Sequence, residues 1–324
     1  MMDRRGFLQG LAGTGALLPL ALRSRHAAAA EAGNAKAGAA GVTAGKANAR
    51  VSTLAPGLHL IEGLGGNVTV LDSPEGVLLV DGGAPEHSAA LLDTVRELTG
   101  KPKVHTLFNT HWHWDQTGSN AALGASGTRI IAHENTRLWL STDVDSKWEG
   151  RKYGRLPPQA RPTQTFYTTG QFDFGGEHIE YGYLFQAHTD GDIFVHFTRA
   201  NVLVAGDVLA VGRYPIIDYI TGGWIGGMAS AAQQLVARCN DATSVVPGTG
   251  PVQTRADLAA EQAMLAEVRT RLSKLLAQGM SIREMQEAAP TKDFDAKWGD
   301  PKLFIANTWQ GLIRRTGELG VSIV

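Results

Sequence analysis

The chain has 324 residues, 43% of them hydrophobic and 19% charged, enough for one large domain or two modest ones around a sizeable core. A formal net charge of −1 and a pI near 6.8, with no basic stripe and no acidic block, argue against a nucleic-acid partner and against a solvated tail. The 39 glycines and 13 prolines imply many turns, so a loop-rich α/β or α+β enzyme fits better than a helical bundle.

Residues 1–30 read as an export signal peptide. Arg4 and Arg5 precede an apolar run over residues 7–22, and an alanine tract follows at 27–30. The run falls short of the ~20 residues of a membrane span, and glycines and Gln9 interrupt it. The order Arg-Arg-x-Phe-Leu resembles a twin-arginine signal, which implies the twin-arginine export machinery as a partner and a soluble, periplasmic product. Removing residues 1–30 leaves 26 basic and 30 acidic residues. Cys239 is the sole cysteine, so neither an intrachain disulfide nor a lipidated cleavage site is available. Residues 31–50 are Ala/Gly-rich with no apolar face and read as a flexible linker.

From residue 51 the texture changes, and one folded domain is expected over 51–324. "LHLIEG", "VTVLD" and "GVLLVDGG" are short β-rich runs separated by turn residues, a meander of strands. "APEHSAALLDTVRELTG" has helical spacing and stops on Gly100. "KVHTLFNT" is a strand, "SNAALGA" a short helix and "TRIIAH" a strand. "HIEYGYLFQAHT", "DIFVHFT" and "NVLVAGD" form a second strand group. A helix ("MASAAQQLVARC"), a short strand ("SVVPG") and a long helix from about Arg255 to Gln278 follow, and further helices close the chain over about 255–324. Two successive sets of strands and helices suggest two sheets, each covered by helices on one face. No Gly-x-Gly-x-x-Gly or phosphate loop follows a first strand, and no Gly-x-Ser-x-Gly elbow is present.

The chemistry concentrates in "NTHWHWDQTGSN", residues 109–120. A strand that ends in a loop can splay residues i, i+2 and i+4 to one side, which is the spacing of His111, His113 and Asp115. Imidazole nitrogens suit zinc, and His188, after an apolar strand, is the best third ligand. Three neutral imidazoles leave a fourth position open for a water whose pKa zinc lowers toward neutrality, giving a hydroxide nucleophile. Asp207, in "NVLVAGDVL", supplies a second carboxylate at a strand end.

In this order the residues resemble the metallo-β-lactamase-fold hydrolases, over roughly 51–255. Asp81 in "VLLVDGG" matches an early strand-end Asp. "HWHWDQ" matches His-x-His-x-Asp-His, His188 a lone strand-end His, and Gly206–Asp207 a Gly-Asp motif. "PGTGPV" matches Pro-Gly-His-Gly-Pro with Thr249 in the histidine's place. The resemblance implies an α+β sandwich of two mixed β-sheets covered by helices, with a metal site at one edge. It puts His111, His113 and His188 on a first zinc, and Asp115, residue 116, Asp207 and residue 249 on a second. Gln116 and Thr249 are both poor zinc ligands, so a single zinc is expected, with Asp115 as general base and the second ion weak or absent. Asp81 is expected to orient the histidine loop through backbone hydrogen bonds.

Trp112 and Trp114 alternate with the ligands and should point away from the metal. Trp224, Arg213 and Asp218, in or beside the loop after Asp207, are candidate substrate-rim residues. Residues 145–166 read either as a lid or as the connection between two half-domains. His133 and His196 are expected to be structural, and Asp190 and Asp192 to shape the turn after His188. The implied function is an exported zinc hydrolase acting on a small ester, lactone, thioester or lactam. Two alternatives are a non-haem iron sulfur-oxygenase built on two histidines and Asp207, and a degenerate paralogue without catalysis.

Overall fold

The computed structural model describes residues 49–318, with side chains as far as Arg315. The signal peptide, almost all of the expected linker and the last six residues lie outside the described residues. The linker, expected to run to residue 50, gives way earlier, because Arg50 is already the first residue of a strand.

Strands β1 (Arg50–Ala55), β2 (Leu58–Leu64), β3 (Gly66–Ser73) and β4 (Gly76–Val80) form an antiparallel meander. The chain then crosses over through helix α1 (Ser88–Thr99) to β5 (Val104–Phe108), parallel to β4. Short helices α2 (Trp114–Thr117) and α3 (Asn120–Ala125) lead to β6 (Arg129–His133), and α4 (Glu134–Leu140) follows. A separate two-stranded hairpin, β7 (Val144–Ser146) and β8 (Arg151–Tyr153), interrupts before β9 (Gln164–Phe166) completes the first sheet. That sheet has seven strands in the order β1-β2-β3-β4-β5-β6-β9.

The second sheet has five: β10 (Thr169–Phe174), β11 (Glu177–Tyr183), β12 (Ile193–Phe197), β13 (Val202–Gly206) and β14 (Ser244–Pro247), in chain order. Only its last pair is parallel, joined by the crossover helix α5 (Ile225–Arg238). Helices α6 (Arg255–Ala277), α7 (Ile282–Glu287), α8 (Asp295–Trp298) and α9 (Lys302–Glu318) close the described chain. The fold is therefore the expected α+β sandwich of two mixed sheets with helices outside.

Strand alternation decides which layer each side chain enters. In β4, Leu78 and Val80 face the other sheet and join Phe108, Ile131, Phe174, Ile179, Val195, Phe197 and Val204 in the central core. Val77 and Leu79 point the opposite way, onto Leu91 and Val95 of α1. On the outer face of the second sheet, Phe194, Leu203 and Val245 pack under Met228, Leu265 and Phe304 from the later helices. Most of these side chains are fully buried, which stabilises by about 1.5–3 kcal/mol each. Gly100 takes a left-handed φ of 67° and its N–H closes the end of α1 on Arg96, as its place in the sequence predicts. Helix α6 starts from a reciprocal Thr254–Asp257 cap.

These connections bring the carboxyl ends of β4, β5, β13 and β14 to one edge of the sandwich. Asp81, the 109–113 segment, Asp207 and Thr249 follow those four ends directly. Among the described residues, no helix is long and apolar enough to cross a membrane.

Candidate metal centre

One ligand atom each from His111, His113, His188 and Asp207 lies within 4.8 Å of the others. The three imidazole rings stand edge-on around a common point, with centroids 4.7–4.8 Å apart and interplanar angles of 82–87°. The Asp207 carboxylate closes the fourth side, its Oδ2 being 4.0 Å from His111 Nε2 and 3.7 Å from His188 Nε2.

Each ligand is held from behind. Asp81, buried and at a left-handed φ of 65°, accepts the Thr110 N–H at 2.7 Å and the Thr110 hydroxyl at 2.8 Å, fixing the loop that carries His111. His188 was expected at a strand end, but β11 stops at Tyr183. Gln186 turns left-handed, and the loop closes with Leu184 N–H donating to the Asp192 carbonyl. Asp192 ties this turn by accepting the N–H and hydroxyl of Thr189, and the Asp190 carboxylate accepts from the Trp139 indole. Gly248 lacks a side chain for a reason: a Cβ there would collide with Asp207 Oδ1.

The hydrogen bonds also fix which imidazole nitrogens face the centre. His188 Nδ1 donates to the Ile216 carbonyl at 2.8 Å, leaving Nε2 as a lone pair. His113 Nε2 donates to Asp218 Oδ2 at 3.1 Å, leaving Nδ1 as a lone pair. These two lone pairs face each other at 2.9 Å, so a proton or a metal ion must lie between them. His111 decides which. Its Nε2 is buried with no hydrogen-bond partner, and one proton shared by the other two imidazoles does nothing for it. A cation bound by the three nitrogens, with the Asp207 carboxylate beside it, satisfies every group, so the donor set fits a metal.

Burial and neighbouring charges set the protonation of these groups. Burial and the neighbouring His188 and His113 hold His111 well below the ordinary imidazole range, and burial with His113 takes His188 down to about 4. Both imidazoles are therefore neutral, as ligands must be. Burial also opposes charge on His113, but the bond to Asp218, with the charges of Asp218, Asp115 and Asp207, outweighs it and raises its pKa. Asp218 stays ionised: against the effect of burial, its bonds to His113, Thr221 and Trp148 bring it down to about 2. Asp115, in the first turn of α2, is raised to about 6 by burial and by Asp207. It stands beside the four clustered atoms without being one of them.

Of the second set of ligands implied by the resemblance, Asp207 belongs to the four-residue group. Gln116 is fully buried against Gly66, its Nε2 donating to the Gly248 carbonyl at 3.3 Å and its Oε1 left without a partner. The Thr249 hydroxyl accepts from Arg213 at 3.2 Å.

Two rim assignments need correcting. Asp218 does not stand on a rim: it is fully buried, and it caps its own turn as well as binding His113. The Trp224 backbone N–H donates to the Ala187 carbonyl beside His188, while its ring packs against Arg269 and Arg315 and lines a cavity of about 240 Å³ with Tyr219 and Arg314. Its place at the N-cap of α5 turns its side chain toward α9 rather than toward the metal group. Arg213 is exposed beside Thr249. Trp112, expected to point away from the ligands, packs with Leu140 and Val144 but also sets its ring edge-on to His113, with centroids 4.6 Å apart. His133 caps α4 by accepting the Asn135 N–H, and His196 lies within β12. Trp148, which stands close to His113, was missed. Nothing local in "DSKWEG" points to it.

A sandwich of two mixed sheets with three histidines and a carboxylate gathered at its strand ends defines a class of metalloenzyme. The sequence model described as Metallo-beta-lactamase superfamily matches residues 61–249, and the chain belongs to that superfamily. It is 25% identical over 159 residues to the metallo-beta-lactamase IND-1 of Chryseobacterium indologenes, spanning 49% of this chain and 60% of that enzyme. The solved metallo-beta-lactamase from Pontibacter korlensis superposes with a TM-score of 0.52 at 20% identity, covering 70% of this chain and 98% of the other. The crystal structure of IND-7 gives 0.55 at 22%, covering 68% and 98%. At such identities the superpositions speak to the fold alone.

Proposed function

We propose that this chain is an exported, mononuclear zinc hydrolase that attacks a small carbonyl substrate: an ester, lactone, thioester or lactam. The observation that carries the reading is the set of three imidazole nitrogens turned inward, two facing each other at 2.9 Å and the third without a partner. Three imidazoles rather than two meet the carboxylate, which favours zinc over the two-histidine iron set. A zinc ion held there supplies a Lewis acid and an activated water at neutral pH. The chain's own residues do the rest. His111, His113 and His188 would hold the ion, with the Asp207 carboxylate beside them. Asp115, at about 6, is poised to take a proton on its carboxylate near neutral pH. Asp218 and Ile216 keep the imidazoles in their ligating tautomers. Arg213, exposed beside Thr249, is placed to meet a polar group of the substrate. Arg4 and Arg5 ahead of the apolar run support export through the twin-arginine machinery to the periplasm.

One preparation tests the reading. The full chain is expressed, the mature protein is purified from the periplasmic fraction, and its metal is measured by elemental mass spectrometry beside the His188→Ala variant. About one zinc per chain, lost in the variant, with turnover of at least one member of an ester, lactone, thioester and lactam panel, is the expected result. Protein confined to the cytoplasm overturns the export. Iron or no metal overturns the zinc chemistry, and two zincs per chain overturn the mononuclear site.

A further inference from the structure

The β7–β8 hairpin, set between α4 and β9, belongs to neither large sheet. Two strands of three residues each do not hold themselves in place, so their position rests on what they touch. Val144 and Tyr153 pack on Trp112 and Leu140, and the Arg151 guanidinium lies 4.3 Å from the Trp114 ring centroid. The faces of the two tryptophans that alternate with the ligands thus form the seat of the hairpin. From its turn, Trp148 reaches inward. Its indole N–H donates to Asp218 Oδ1 at 2.9 Å, and its ring centroid lies 6.1 Å from that of His113.

Asp218 is the residue through which this contact acts. Its Oδ1 accepts from Trp148 and from the Ile220 N–H at 3.0 Å; its Oδ2 accepts from His113 and from the Thr221 hydroxyl at 2.7 Å. Four donors match the roughly four acceptor sites of a carboxylate, and the residue is fully buried, so no water stands ready to replace a missing one. Thr221 is itself anchored, its hydroxyl accepting from the Trp112 indole at 3.1 Å. With one donor gone from Oδ1, the buried carboxylate is freer to turn, and Oδ2 then holds less firmly the N–H that sets the tautomer of His113.

We propose that Trp148 is a positioning residue of the metal group: its indole N–H latches the 144–153 hairpin beside His113 and completes the cage of the carboxylate that orients that imidazole. The hairpin and the ligand are coupled through Asp218. Lifting the hairpin removes a donor from Asp218 and loosens His113, so a metal ion leaves more readily from the open form than from the latched one. This rests on the metal reading above. Of the two readings of residues 145–166, lid or connection, the hairpin then takes the lid, and its catch is one hydrogen bond.

The test uses Trp148→Phe, which keeps an aromatic ring and removes only the donor, beside Lys152→Ala, an exposed change in the same hairpin. Zinc-loaded proteins are mixed with a chromophoric chelator and the rate of zinc release is followed. The cobalt-substituted proteins are compared by their visible spectra. Release about 10-fold faster in Trp148→Phe, with an altered cobalt spectrum and Lys152→Ala like wild type, is expected. An unchanged release rate and spectrum in Trp148→Phe overturn the proposal. Nitrogen-15 spectra of histidine- and tryptophan-labelled, metal-free protein separate this failure from that of the parent reading. Even in a chain that binds no zinc, Trp148→Phe must shift the His113 Nε2 resonance, and an unmoved resonance sinks the latch on its own.

Discussion

At the scale of single residues, Asp115 is the side chain on which the hydrolytic reading turns. It lies beside the metal group without contributing to the four clustered atoms, so its chemistry and the metal's retention are separable. Asp115→Asn keeps the shape and removes the base: kcat is expected to fall by about 10²–10⁴ with the metal content unchanged. Activity and metal lost together would instead make Asp115 a ligand. Much of this group was legible in the sequence, because His111, His113 and Asp115 lie within five residues and Asp207 follows an apolar strand. The role of Asp218 was not, since the bond that defines it joins positions 105 apart. The place of Asp218 in the loop after Asp207 suggests a rim residue instead, and in the structure it also caps its own turn.

At the scale of elements, the contact between α6 and the loop after β13 carries a pH dependence. Glu261 of α6 is fully buried and accepts the Ala210 N–H, at 3.0 Å to its nearer oxygen, three residues beyond Asp207. Burial raises its carboxyl to about 8, from an ordinary value of 4.5. The folded chain therefore binds a proton there that the unfolded chain has released, and this contribution to stability, full below pH 4.5, is lost as pH rises through 8. Glu261→Gln keeps an acceptor and does not titrate. Relative to wild type at equal metal content, its Tm should gain ~3 °C or more between pH 5 and pH 8, the shift of roughly 1 kcal/mol in a domain of this size. A difference that stays the same at both pH values would contradict the assignment. Element recognition from sequence succeeded where the alternation was long, as in β2 to β5. It missed β1, β10 and the three-residue strands β7, β8 and β9, whose place comes from partners rather than from pattern.

At the scale of the whole molecule, the two-sheet architecture was legible because two rounds of strands and helices follow each other in the chain. The way the rounds face each other was not, since the central core between them forms only by long-range packing. The metal group straddles that division. His111 and His113 follow β5 in the first sheet, whereas His188 and Asp207 belong to the second, and 75 residues separate the facing imidazoles of His113 and His188. A group assembled from such distant parts closes late, after most of the chain has collapsed. Bound metal should therefore be felt on the way out of the native state and hardly at all on the way in. In stopped-flow denaturant jumps, removing the metal should speed unfolding several-fold and leave the refolding rate nearly unchanged; the reverse pattern would mean that the ion nucleates the fold. For this protein the ion would then act as a fastening in time, setting how long the finished molecule lasts rather than how quickly it is made.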